Sequence, residues 1–242
     1  MQKRLGDKPT VKYNYGSYNK IKIDKKDKIL KQWIRLTEGC PHNCPWCYEP
    51  QEIKVFDIPE IETNHVGIID MNLLYKKEAL EILKSLPVNN GKKIVYEFVC
   101  GFDYRFLTKE IAEEMHRHHF KDLRIAWDWY LKDQYKIKDA LKILYSVGYK
   151  PVDIEIFMIC NHPSVSYDEC MKKLDLCKVW NVKVADCYYD NQVEILENPF
   201  IPIGWSTNEA YDFRRRIRIH NQIVNFKIYP KLDNIQFKNV IN

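Results

Sequence analysis

Three cysteines, Cys40, Cys44 and Cys47, lie within the run Gly39-Cys40-Pro41-His42-Asn43-Cys44-Pro45-Trp46-Cys47, at spacings of four and three. Thiolates are soft metal ligands, and three of them on one short loop can converge on one metal centre. Gly39, Pro41 and Pro45 enforce an irregular loop, because glycine permits positive φ and proline removes backbone donors. A structural zinc needs four N or S ligands in a tetrahedron, one more than the cysteines supply. His42 offers the fourth, but it sits between Cys40 and Cys44, where bending back to the same ion would strain the loop. No second Cys or His pair follows at finger-like spacing. A cubic iron–sulfur cluster held by three thiolates is the better match, because one iron is then left open for a further ligand.

With Cys40, Cys44, the aromatic Trp46 and Cys47, the loop resembles the radical SAM (S-adenosylmethionine) superfamily, whose signature is Cys-x-x-x-Cys-x-aromatic-Cys after a first strand. The resemblance implies a partial (β/α)6 TIM-like barrel. It also implies a four-iron four-sulfur cluster held by Cys40, Cys44 and Cys47, and S-adenosylmethionine at its open iron. One electron from a flavodoxin- or ferredoxin-type donor would cleave the C–S bond. The deoxyadenosyl radical so released would take a hydrogen atom from a substrate, and the open iron implies oxygen sensitivity.

The elements behind the loop alternate as such a barrel requires. Strands are expected at Trp33–Thr37, His65–Asp70, Lys93–Cys100, Leu123–Trp127, Val152–Ile159 and Val182–Cys187. Helices are expected from Tyr75 to Leu86, from Thr108 to Phe120, from Tyr135 to Val147 and from Ser166 to Trp180, with Thr108 as an N-cap. Between Cys47 and His65 the prolines Pro50 and Pro59 argue against a long helix, so the first crossover is short or irregular. Beyond about residue 190 come a proline-rich turn, a helix from Ser206 to about Asn221 and a strand from Ile223 to Tyr229. The organisation is thus a basic extension over 1–32, the barrel over 33–190 and an accessory segment over 191–242.

Chemistry in (β/α) barrels gathers at the C-terminal ends of the strands. Those ends carry Asp70-Met71-Asn72, Cys100-Gly101-Phe102-Asp103, Asp128, Cys160-Asn161 and Asp186-Cys187. Helix capping is the ordinary duty of such Asp and Asn residues. The family's Gly-Gly-Glu-like motif, which receives the methionyl amine, is absent here. The resemblance places Asp70 and Asn72 in that role, with Cys100 to Asp103 as the rival stretch. It places Asp128 at the ribose hydroxyls, Cys160 and Asn161 at the adenine, and Trp46 nearby.

Other residues have plainer readings. Cys170 and Cys177 share a helix face and are small core residues; His116, His118 and His119 end a helix, where imidazolium suits the dipole. Arg214, Arg215, Arg216 and Arg218 form either a solvated helix face or a seat for an anion.

The chain has 242 residues, 45% hydrophobic and 29% charged, a globular balance. Residues 1–31 hold ten Lys/Arg against three Asp/Glu, a net of +7 within a total of +5. That arm, with Tyr13, Tyr15 and Tyr18, is a solvated lead-in or a contact for nucleic acid. The basic segments favour an anionic, nucleotide-like small-molecule substrate. Eight cysteines without an apolar export segment point to a reducing, cytoplasmic setting. No membrane partner is expected, since the longest near-continuous apolar stretch, Ile154 to Cys160 broken by Glu155, is too short to cross a bilayer. The reading from another class is a metal-stabilised nucleic-acid-binding module with a structural cysteine loop.

Overall fold

The computed structural model describes residues 16–25, 28–47, 49–128, 130–160, 165–187, 201 and 204–226. Asn161, the first fifteen residues of the basic arm, the proline-rich turn at Pro199 and Pro202, and the side chain of Cys187 lie outside the described residues.

Six parallel strands organise the chain. β2 (Leu30–Arg35), β5 (His65–Ile68) and β6 (Val95–Phe98) form one ladder, and β7 (Leu123–Ala126), β8 (Ile154–Ile159) and β9 (Lys183–Cys187) form another. Registers of Trp33 with Gly67, Gly67 with Glu97 and Ile156 with Val184 fix their side-chain faces. An antiparallel strand, β1 (Tyr18–Ile23), flanks β2, pairing Tyr18 with Arg35 and Ile23 with Leu30. The basic extension therefore ends in a strand, and the boundary expected at residue 33 falls inside β2. Two short strands, β3 (Thr37–Glu38) and β4 (Lys54–Val55), pair antiparallel just beyond β2.

Alternation along the strands separates two faces. One face, with Ile34, Val66, Ile68, Tyr96, Phe98, Leu123, Ile125, Ile156 and Val184, is buried to within a percent of fully. The helices that follow the strands join the same core. They are α1 (Ala79–Ser85), α2 (Lys109–Arg117), α3 (Gln134–Ser146) and α4 (Tyr167–Trp180), contributing Leu83, Met115, Leu144 and Leu174. Each fully buried aliphatic or aromatic side chain contributes about 1.5–3 kcal/mol. Caps define the helix starts: Thr108 accepts from Ile111 N at 3.3 Å and Ser166 from Glu169 N at 3.2 Å. Asn181 closes α4 in the left-handed conformation.

The opposite face is charged. Glu97 on β6 accepts from Lys31 on β2 and from Arg124 on β7, and Arg124 Nε reaches Glu155 Oε2 on β8 at 3.6 Å. Burial alone would raise the Glu97 carboxyl, but Lys31 and Arg124 hold it below its ordinary value. Arg124 spans the seam between the two ladders, where Phe102 N donates to Arg124 O at 2.8 Å and Ala126 N to Phe102 O at 3.0 Å. Space is tight at Gly67, where a Cβ would lie 3.0 Å from Lys31 Cε and 3.1 Å from Trp33 and Val99.

Two expectations change. The helix expected from Tyr75 to Leu86 is broken into a 3-10 turn, Leu73–Tyr75, and α1, because Lys76 is extended between them. The strand expected from Ile223 does not form over 223–226, since α5 (Thr207–Phe226) continues through them. Val224 extends the buried stripe of Ala210, Phe213, Ile217 and His220, so helical periodicity outweighs the β-branched pair. The rest of that strand lies outside the described residues.

α5 covers the exposed edge of β9. Asn221 Oδ1 accepts from Val184 N at 2.9 Å and its amide donates to Val184 O at 2.7 Å, replacing a neighbouring strand. Replacing Asn221→Ala removes both bonds and should lower the stability by about 2 kcal/mol. Urea unfolding checks this, with a lower midpoint at an unchanged slope.

Candidate metal centre

The cysteine loop leaves the C-terminal end of β2 through a closed neck. Thr37 pairs with Val55 and Glu38 with Lys54, and Cys40 N donates to Pro50 O at 2.7 Å. Gly39 turns the chain into the loop at φ +92°, and a Cβ there would fall 1.9 Å from Glu52 O, so only glycine passes. Glu49 Oε1 accepts from Gly39 N at 2.7 Å, and the Lys76 ammonium donates to the Gly39 carbonyl. Both side chains are buried, at 2% and 4% exposure, so each charge is held by a specific partner.

Cys40, Cys44 and Cys47 are thiols outside any disulfide and partly exposed at the loop surface. Cys47 N donates to Cys44 O at 3.0 Å, Glu49 N to Cys47 Sγ at 3.4 Å, and the Asn72 amide to Cys40 Sγ at 3.4 Å. Burial, then the nearby Cys47, Cys40 and Asp128, push the Cys44 thiol up to about 12, while Arg105 opposes them. Thiolate charges at Cys40 and Cys47 thus disfavour a third at Cys44, and a cationic centre would relieve that repulsion.

His42 sits beside Asp103, although its Nε2 makes no well-formed hydrogen bond. Its Nε2 lies 3.1 Å from Asp103 Oδ2, and its ring stacks on Phe106 at 5.8 Å and meets the edge of Tyr75 at 5.9 Å. Asp103 is also held by Arg105, through Nε at 2.8 Å and Nη2 at 2.6 Å. Among the described residues, no group of three or more His, Cys, Asp or Glu is arranged to hold a metal ion. A tetrahedral zinc, with Zn–S bonds of about 2.3 Å, would draw its sulfurs to within roughly 4 Å of one another. An iron–sulfur cube gives each thiolate its own iron and accepts them further apart. By number and type of donor, three thiols on one loop match a cube and fall one ligand short of a closed zinc site.

The other residues singled out in the sequence divide. Asn72 follows β5 and touches Cys40, and its buried Oδ1 has no hydrogen-bond partner. Asp128 follows β7, and its carboxyl is felt at Cys44. Burial pushes Asp128 up to about 6, against Lys173 and a backbone bond from Ile159. Lys173, buried on α4, is 3.4 Å from Glu169 Oε1 and donates to Trp127 O at 3.3 Å. Trp46 is half-buried within the loop.

Asp70 and Cys160 make contacts within the fold. Asp70 Oδ1 accepts from Leu36 N at 2.9 Å, and Oδ2 accepts from Thr37 N at 2.5 Å and Thr37 Oγ1 at 2.7 Å. Its carboxylate thus ties the ends of β2 and β5 together. The Cys160 side chain is fully buried and donates to Met158 O at 3.3 Å, so only its backbone is left to approach a ligand. In the basic helix, Arg214 Nε is 3.4 Å from Asp186 and Arg216 is paired with Asp212, which removes two of the four cations from a seat for an anion.

Glu49, Lys76 and Arg105 were missed in the sequence. Lys76 falls inside the helix expected from Tyr75 to Leu86, and its extended backbone carries it beneath the loop. Nothing in the spacing marks Glu49 beyond its position two residues after Cys47.

No protein-family model matches the chain, and no curated protein matches it in sequence. Among solved structures, the fold is similar to that of the radical S-adenosylmethionine methyltransferase TsrM from Kitasatospora setae, determined with cobalamin and a 4Fe-4S cluster bound. The TM-score is 0.53 at 10% identity, over 76% of this chain and 46% of that one. The chain therefore spans less than half the length of that neighbour, and the likeness is one of fold.

Burial raises the Asp70 carboxyl from 3.8 to about 6, against its three hydrogen-bond donors and Arg35. The folded state then holds this proton more tightly than the unfolded one. Its contribution to stability is full below 3.8 and is lost as pH rises through about 6. Urea titrations across that window should show a stability decline in the parent chain that flattens in Asp70→Asn. Parallel curves for the two proteins would contradict the assignment.

Proposed function

We propose that this chain is a radical SAM enzyme on a partial (β/α)6 barrel, in which Cys40, Cys44 and Cys47 hold a four-iron four-sulfur cluster. The observation that carries the reading is the position of the three-thiol loop. It stands at the C-terminal end of the first parallel strand, with Asn72 and Asp128 brought to it from the ends of the second and fourth. A fold similar to that of a radical SAM methyltransferase supports it.

When bound, such a cluster supplies the electron that splits the C–S bond of S-adenosylmethionine into methionine and a deoxyadenosyl radical. The chain's own residues bind and orient. The unpartnered Asn72 Oδ1 accepts from the methionyl ammonium. Asp128, held by Lys173, accepts from the ribose hydroxyls. The segment of Cys160 and Asn161 lies along the adenine, with Trp46 packed nearby. Asp70 acts one step back, by fixing the strand ends from which the loop and Asn72 project. A low-potential flavodoxin- or ferredoxin-type protein delivers the electron, and a small molecule held over the charged strand face gives up the hydrogen atom. With Arg214 and Arg216 ion-paired, the basic helix no longer argues for an anionic substrate. No described helix is long and apolar enough to cross a membrane. Cysteines outside any disulfide suit a reducing compartment such as the cytoplasm.

Anaerobic reconstitution should load about four iron and four sulfide per chain, with a broad visible absorption that dithionite bleaches. Under reduction the loaded chain should release 5′-deoxyadenosine from S-adenosylmethionine, and Cys44→Ala should abolish that release. Stoichiometric zinc in a colourless protein would instead favour the nucleic-acid-binding module.

A further inference from the structure

Two buried charges of opposite sign grip Gly39 immediately before Cys40. The Lys76 ammonium donates to its carbonyl, and Glu49 accepts from its N–H at 2.7 Å. The peptide whose carbonyl Lys76 takes is the one whose N–H, on Cys40, is bonded to Pro50 O at 2.7 Å. Lys76 is also felt electrostatically at Cys40, Glu49 and Asp70. A buried ammonium is costly without an anion to face, and an isolated neck would be closed as well by two neutral groups. We propose that Lys76 and Glu49 set the reduction potential of the cluster from its Cys40 corner, as positioning residues of opposite effect. This rests on the reading that the three cysteines hold a cluster.

The argument is electrostatic. Three thiolates around a cube of charge 2+ sum to −1, and one electron from a low-potential reductant, itself oxidised by one electron, brings the sum to −2. A fixed cation in a site of low dielectric favours the more negative state, and a fixed anion opposes it. The bonds from Asn72 to Cys40 Sγ and from Glu49 N to Cys47 Sγ act in the same direction as the cation, since N–H groups aimed at sulfur stabilise added negative charge. Lys76 thereby eases reduction of the cluster, and Glu49, whose carboxylate accepts from Gly39 N, limits how far.

The test is an EPR-monitored potentiometric titration of the reconstituted full chain, its Lys76→Met and Lys76→Arg variants, and Glu49→Gln. In Lys76→Met the ratio of reduced to oxidised cluster at a fixed solution potential should fall at least tenfold, about 59 mV for a one-electron couple. Lys76→Arg should stay near the parent value. Glu49→Gln keeps an acceptor for Gly39 N and should move the midpoint the other way. If Lys76→Met does not take up iron, the sign of the Glu49→Gln shift decides. Midpoints that coincide among iron-loaded variants overturn the inference and leave the cluster reading intact. A parent chain that takes up no iron overturns both.

Discussion

The closed neck of the cysteine loop is the constraint on which the site depends. Cys40 N and Pro50 O join across it, and Gly39 passes where any side chain would strike Glu52 O. A loop fixed at both ends presents its three sulfurs as a unit, so a centre bound there does not have to order a floppy chain first. The neck in turn hangs from β2 through the Asp70 carboxylate, which collects the backbone of Leu36 and Thr37. Strand ladder, carboxylate tie, glycine pinch and sulfurs form one chain of dependence from the core to the surface.

Charge is handled in the same way throughout the molecule. The strand face opposite the helices carries Lys31, Glu97, Arg124 and Glu155 in a row that crosses the seam between the two ladders. Lys173 under Trp127 pairs with Glu169 and faces Asp128. Buried charges of this kind add little net stability, but removing one partner strands the other. Their value lies in fixing which strand ends face one another, and that sets the distance of Asn72 and Asp128 from the cysteines.

What could be read in the sequence follows from how locally each feature is encoded. Metal chemistry fixes ligand type and spacing within a few residues, so the cysteine loop stands out in the sequence as a candidate centre. The helices with caps at Thr108 and Ser166, and the alternating strands β5 to β9, were legible within a residue or a few at each end, because periodicity and capping are local as well. β1 was not, since its Lys- and Asn-bearing sequence is exposed on nearly every side chain and owes its strand form to pairing with β2. The break at Lys76 and the duty of Asp70 depend on groups more than thirty residues away, Gly39 for the one, Leu36 and Thr37 for the other. At α5 a β-branched pair misled the reading because the buried stripe that decides the matter spans four turns.

Iron-57 Mössbauer spectroscopy of the reconstituted chain, with and without S-adenosylmethionine, addresses the open iron directly. Three protein ligands on a four-iron cube leave one iron distinct, so roughly a quarter of the signal should shift when the sulfonium compound is added, the rest staying as it was. A spectrum indifferent to the addition, with all irons alike, would mean that a protein group fills the last position and that the chain does not do this chemistry.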